Sequence, residues 1–128
     1  MKKLVYGFDR LHSNCELSEN LVLMSRNQAY FSILKTDGNL SIFKSAHFIS
    51  KNIVWTTKNK NQGEHPYKLK LLETGILQIN DKNGYLIWAS SEFQKGNGPY
   101  QLIMQDDGNL VIYDGNGKPQ WCKKEFDI

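Results

Sequence analysis

Gln105, Asp107, Asn109, Val111 and Tyr113 occupy every second position across one turn of the chain. Four of them carry different hydrogen-bonding groups, namely an amide, a carboxylate, a second amide and a phenol. Alternate residues of an extended chain point to one face. A turn at Asp107-Gly108-Asn109 folds Gln105 back beside Tyr113, so the five side chains can share that face. Fixed donors and acceptors around one apolar side chain suit the adjacent hydroxyls and carbon skeleton of a sugar. Asp107, charged at neutral pH, accepts hydroxyl protons strongly. A solvated turn would account for Asp107-Gly108-Asn109 but not for Gln105 and Tyr113.

Other chemistries find less support. His12, His47 and His65 are far apart, and the two cysteines, Cys15 and Cys122, stand near opposite ends, so no zinc spacing forms. Asp106-Asp107-Gly108-Asn109 matches a fragment of a calcium loop but lacks the later glycine and the terminal Glu. Asp106 and Asp107 are neighbours pointing to different sides, unlike two carboxyls flanking a scissile glycosidic bond. The sequence predicts a binding protein that is not an enzyme and needs no cofactor or metal.

The elements that must position these residues are repeated. Phe31–Phe43, Lys68–Asn80 and Gln101–Tyr113 share one alternating pattern about a central glycine, Gly38, Gly75 or Gly108. Trp55, Trp88 and Trp121 recur every 33 residues, and the first unit carries four extra residues between Phe43 and Trp55. A longer loop absorbs such an insertion at small entropic cost. Each unit reads as a β-hairpin followed by a short Trp-bearing strand, and no helical period appears. The expectation is an all-β chain of three antiparallel sheets, each of about four strands, because one small sheet could not cover its own apolar face. The units run approximately over 11–55, 56–88 and 89–121, followed by a C-terminal strand, 122–128, all within one domain, 1–128. The three Trp residues are expected in a shared central core.

The third unit resembles the bulb-type, or monocot mannose-binding, lectin family. That family repeats Gln-x-Asp-x-Asn-x-Val-x-Tyr, and Gln105, Asp107, Asn109, Val111 and Tyr113 fill every specified place. The resemblance spans about Leu11 to Trp121. It implies a β-prism II with pseudo-threefold symmetry, binding of terminal α-mannose on glycoproteins or cell-surface glycans, and a role in defence. It also implies a homodimer formed through the C-terminal strand. Asp107 and Asn109 would hold the axial 2-hydroxyl, Gln105 the 3-hydroxyl and Tyr113 the 4-hydroxyl, with Val111 against the ring carbons.

The other units depart from the pattern. The first reads Lys35, Asp37, Asn39, Ser41 and Phe43, which leaves Asp37 and Asn39 as a weaker second site. The second reads Leu72, Thr74, Ile76, Gln78 and Asn80, with no carboxylate, and is expected not to bind mannose. Leu72 and Ile76, if they face outward, would suit a protein contact or a covering segment. The alternative for the whole chain is a protein-interaction module with little sugar affinity.

The rest of the composition sets bounds. The 128 residues are 40% hydrophobic, as in a folded domain, and the net charge of +3 comes from scattered basic residues, too weak a pattern for nucleic acid. No stretch is apolar enough to insert in a membrane, and no export signal is legible at the start, which points to a cytoplasmic or non-classically secreted protein. Cys15 and Cys122 could be bridged or free.

Overall fold

The computed structural model describes residues 8–123. Its twelve strands are β1 (Arg10–His12), β2 (Cys15–Ser18), β3 (Val22–Met24), β4 (Phe31–Leu34), β5 (Leu40–Phe43), β6 (Ile53–Thr56), β7 (Lys68–Leu71), β8 (Leu77–Asn80), β9 (Leu86–Ala89), β10 (Gln101–Met104), β11 (Leu110–Tyr113) and β12 (Pro119–Cys122). They form three four-stranded antiparallel sheets, ordered β3-β4-β5-β6, β2-β7-β8-β9 and β1-β10-β11-β12. These are the three sheets expected from the repeat, in the β-prism II arrangement that the resemblance implies. Among the described residues no helix is long and apolar enough to cross a membrane.

Each sheet takes three strands from one repeat and its fourth from the segment 10–24. That segment lays β1 on the third unit's sheet, β2 on the second's and β3 on its own. The block 11–55 marks the sequence repeat, but its first strands serve all three sheets. Leu11 pairs with Leu102 and His12 with Gln101, which ties the start of the fold to its last unit.

Equivalent rows face inward in each sheet: Leu23-Ser32-Ile42-Trp55, Leu17-Leu69-Ile79-Trp88 and Leu11-Leu102-Ile112-Trp121. Together with Leu34, Leu71, Met104, Leu40, Leu77 and Leu110 they make one buried core. The three indoles meet edge to face, with ring centroids 5.9 to 6.5 Å apart. Trp121 is buried, whereas Trp55 and Trp88 pack on the core and keep partial exposure, since so large a ring seldom loses all contact with water. The register of each sheet shifts at the same place, between Ile42/Phe43, Ile79/Asn80 and Ile112/Tyr113. The repeat therefore extends to the bulge that bends the outer strand.

A second threefold feature joins the units to one another. A Cβ on Gly38 would lie 2.8 Å from the Tyr67 ring, on Gly75 2.5 Å from Tyr100, and on Gly108 2.9 Å from Tyr30. Each tyrosine opens one repeat and covers the hairpin turn of the preceding one, and Tyr30 closes the cycle on the third. Tyr67 and Tyr100 are almost wholly buried, and their hydroxyls donate to the Gln62 and Lys95 carbonyls at 2.6 and 2.8 Å. Burial, followed by the charges of Asp81, Glu19, Asp37 and Glu64, raises the Tyr67 pKa and keeps this phenol a donor.

Cys15 and Cys122 belong to different sheets and are free thiols. Lys124–Ile128, the greater part of the expected C-terminal exchange strand, lie outside the described residues.

The contribution of the tyrosine contact is measurable within one unit. Gly75 (φ +84°) lies against Tyr100, whereas Gly84 (φ +85°) has nothing within 4 Å of its would-be Cβ. Both Ala substitutions incur the backbone strain, and only Gly75→Ala also forces a buried ring aside. We expect Gly75→Ala to lose about 1–3 kcal/mol more than Gly84→Ala, the usual range for overpacking. Equal midpoints in urea denaturation would show that the ring contact carries no such constraint.

Candidate binding face of the third unit

The β10–β11 hairpin turns tightly through hydrogen bonds from Gln105 N to Asn109 O (3.0 Å) and from Gly108 N to Gln105 O (3.0 Å). The Asp107 carboxylate accepts the Asn109 N–H at 2.9 Å, which fixes it over the turn. Tyr30 presses on Gly108 from below. From the first unit, Asn27 N donates to Asp106 Oδ1 at 2.9 Å and Asn27 Nδ2 to the Asp106 carbonyl at 3.2 Å. Asp106 thus clamps the turn from one side and leaves Asp107 to the other, the opposition expected of adjacent residues.

The side chains form a connected series. Tyr113 Oη donates to Gln105 Oε1, and Gln105 Nε2 reaches both Asp107 oxygens at 3.2 and 3.3 Å. The structure therefore brings Gln105, Asp107, Asn109 and Tyr113 together about one turn, already oriented. Asn109 Oδ1 is buried without a hydrogen-bond partner. A buried acceptor left in this condition is uncommon and has capacity for a hydroxyl proton. Val111 faces outward between Ile103 and Cys122 but is only 3% exposed, so it forms a floor rather than an open surface.

Beside Gln105 and Tyr113 lies a cleft of about 460 Å³, walled also by Gln101, Ile103 and the turn Asp114–Gly117. Gln101 pairs directly with Tyr113 across the strands. Its Oε1 accepts from Arg10 Nη1 at 2.7 Å, and Arg10 is ion-paired to Asp9 at 2.8 Å. The Arg10 hydrogen bond, opposed by burial and aided by the Arg10 and Arg26 charges, holds the Asp9 carboxyl below its usual range. Asp114 is held low in the same sense: the Lys118 N–H leads, burial opposes, and the Asn116 N–H and Gln120 amide add to it. The cleft wall thus rests on a charged turn that remains ionised. Gln101 has no counterpart among the five alternating residues; its place opposite Tyr113 becomes apparent only once the hairpin register is known.

The first unit uses the same positions differently. Asp37 Oδ1 accepts the Asn39 N–H at 2.9 Å, with Lys35 Nζ 4.0 Å from Asp37 Oδ2. Asn39 Oδ1 accepts from Asn59 N (2.9 Å) and Thr57 Oγ1 (3.4 Å). Asp37 and Asn39 are adjacent as expected, yet the Asn39 oxygen is spent on the segment just after β6. In the third unit Lys123 stands where Thr57 stands and offers no hydroxyl.

Beyond that pair the first face is closed. Ser41 is 1% exposed and bonded to Thr56 Oγ1 at 2.8 Å, and Phe43 is fully buried. Val22, Phe31, Ile33 and Phe43, with Met24 and Ile53, form a small second core on this outer face. Phe48, from the inserted residues, covers it with ring centroids 5.1 Å from Phe43 and 5.7 Å from Phe31. The four-residue insertion is a lid over Phe31 and Phe43, which hold the places of Gln101 and Tyr113 in the third unit. In the second unit Leu72 and Ile76 are half-buried, and the Thr74 hydroxyl is buried without a partner. Among the described residues no group of His, Cys, Asp and Glu comes together to hold a metal.

No protein-family model matches the sequence, and no curated protein matches it. Solved structures do. The Tarin lectin bound to trimannose is 31% identical, with a TM-score of 0.67 over 88% of this chain and 92% of that one. The monomeric monocot mannose-binding lectins from Gastrodia elata are 27% identical, with a TM-score of 0.78 over 91% and 97%. The mannose-specific agglutinin of snowdrop (Galanthus nivalis) bulbs, complexed with methyl-α-D-mannoside, is 26% identical, with a TM-score of 0.71 over 91% and 96%.

The closure of the first face predicts a stability role for Phe48, which is 37% exposed. Phe48→Ala uncovers Phe31 and Phe43 and is expected to cost about 1–3 kcal/mol, less than truncation of a fully buried Phe. Chemical denaturation checks this, and an unchanged midpoint would show that the insertion is not a structural lid.

Proposed function

The chain belongs to the monocot bulb-type mannose-binding lectin family, a family of non-catalytic carbohydrate binders, and from that membership we propose that its third unit binds terminal α-mannose. The observation that carries the reading is the connected series Tyr113–Gln105–Asp107, with the unpartnered Asn109 oxygen beside it. Tarin is bound to trimannose and the snowdrop agglutinin to methyl-α-D-mannoside, which supports mannose over other sugars.

Asp107 and Asn109 would take the axial 2-hydroxyl, Gln105 the 3-hydroxyl and Tyr113 the 4-hydroxyl, with Gln105, Asp107 and Tyr113 trading internal bonds for ones to the sugar and Asn109 Oδ1 gaining its first partner. Val111, being nearly buried, contributes the floor under the ring. Preorganised polar groups lower the entropy lost on binding, although a monosaccharide on one open face still binds weakly. Glycoprotein or cell-surface glycans would be the natural targets, and defence the role that fits them.

One intact frame per chain gives little avidity, and linking two frames strengthens binding to a multivalent glycan without any new contact. We therefore propose a homodimer paired through the C-terminal strand. Light scattering should give twice the chain mass at tens of micromolar protein, falling to a monomer when the chain ends at Lys123. A full-length monomer would refute the pairing.

The site assignment is tested by calorimetry with methyl-α-mannoside, folding of each variant being checked by circular dichroism. About one site per chain is expected. Asp107→Asn should weaken binding by about 1–2 kcal/mol, the margin of charged over neutral hydrogen bonds, and Tyr113→Phe by less. Asp37→Asn, Asn39→Ala and Thr74→Ala should leave the affinity unchanged. Loss of binding in Asp37→Asn with none in Asp107→Asn would move the site to the first unit.

A further inference from the structure

The second unit has a cleft at the same place as the third, with different chemistry. It measures about 220 Å³ and is lined by Lys68, Lys70, Asn80, Lys82, Pro66 and the turn Asp81–Gly84. By the repeat, Lys68 stands for Gln101, Lys70 for Ile103, Asn80 for Tyr113 and Lys82 for Gly115. A neutral amide, an isoleucine and a glycine have thus become three cations around one concave position.

The three cations outnumber the two carboxylates beside them, Glu16, which pairs with Lys70 across the strands, and Asp81. Lys68 Nζ lies 3.6 Å from Glu16 Oε1, an exposed pair that solvent weakens. Lys70 and Lys82 take part in none of the ion pairs formed among the described residues. Asp81, the carboxylate lining the cleft, keeps its charge and offsets one of the three cations, while its oxygens are turned to the loop: Oδ1 accepts from Asn83 N and Tyr85 N at 2.9 Å, and Oδ2 from Glu64 N at 3.2 Å. Asn80 is 9% exposed, its Oδ1 is buried without a partner, and its Nδ2 reaches only the Gly84 carbonyl at 3.5 Å.

Ammonium groups donate and never accept, so they suit an anion better than a neutral polyol. The orphaned Asn80 oxygen needs a donor, which a sulfate ion lacks and a sugar hydroxyl supplies. We propose that the second-unit cleft binds an anionic sugar, its phosphate or sulfate ester held by Lys70 and Lys82 with Lys68 at the rim and a ring hydroxyl donating to Asn80 Oδ1. The protein then reads two classes of saccharide on two faces, a neutral one on the third unit and an acidic one on the second. This second site stands on its own residues and does not require that the third unit bind mannose.

The test is an NMR titration of the full chain at low and at physiological salt. The probes are glucose carrying sulfate on its primary hydroxyl, the corresponding phosphate ester, inorganic sulfate, inorganic phosphate and methyl-α-mannoside. Either ester should shift the signals of Lys70, Asn80 and Lys82, bind more tightly than its inorganic anion and weaken with salt. Lys70→Gln with Lys82→Gln should reduce ester affinity about tenfold or more, as loss of charge-assisted bonds implies, without altering the mannoside response. The preferred ester identifies the anion. No shift at Asn80, inorganic anions binding as tightly as the esters, or a double variant with unchanged affinity would each overturn the proposal.

Discussion

The contact on which the fold depends is that of a tyrosine ring on a glycine of the neighbouring repeat. Tyr67 on Gly38, Tyr100 on Gly75 and Tyr30 on Gly108 leave no room for a β-carbon. Each unit therefore packs against the turn of another, and the cycle closes because Tyr30 of the first reaches the third. A single four-stranded sheet would expose one apolar face; the cyclic contact makes three of them share one core. It also fixes the Asp107-Gly108-Asn109 turn, since Tyr30 beneath Gly108 and Asn27 on Asp106 hold its backbone before any ligand arrives.

On this common frame the three outer faces have diverged. The first is apolar and sealed by Phe48, the second is basic, and the third carries an ordered set of amides, a carboxylate and a phenol. The inner rows scarcely differ, Ser32 being the exception among leucines. Core positions are constrained by volume and dryness, whereas outward positions only have to leave the hairpin intact. A change of type there alters what the face binds at small cost to the fold. The first face is the clearest case: the carboxylate and amide of Asp37 and Asn39 survive, but the Asn39 oxygen serves Asn59 and Thr57, and an apolar cluster fills the remainder.

Much of this architecture was legible in the sequence because strand alternation, glycine turns and tryptophan spacing are local patterns with a fixed period. The hairpins, the sheet count, the meeting of the tryptophans and the place of the insertion follow from them. The strands β1–β3 do not, being three or four residues long and paired with partners as distant as Ile103 from Arg10. The tyrosines did carry a signal, since Tyr30, Tyr67 and Tyr100 each precede a turn glycine by the same interval, but which glycine each would touch depends on closure of the cycle. Gln101 and the lysines of the second cleft are not marked by the alternating motif, because they come from the strand before it and the turn after it. Only the register sets them beside Tyr113 and Asn80.

The central claim is that the third unit alone presents the mannose frame, and a crystal structure of the chain soaked with methyl-α-mannoside tests it most directly. The account predicts one pyranoside per chain, with hydroxyls in hydrogen-bond contact with Gln105, Asp107, Asn109 and Tyr113 over the Val111 floor. A mannoside seated on the first or second unit, or none at saturating sugar, would contradict it.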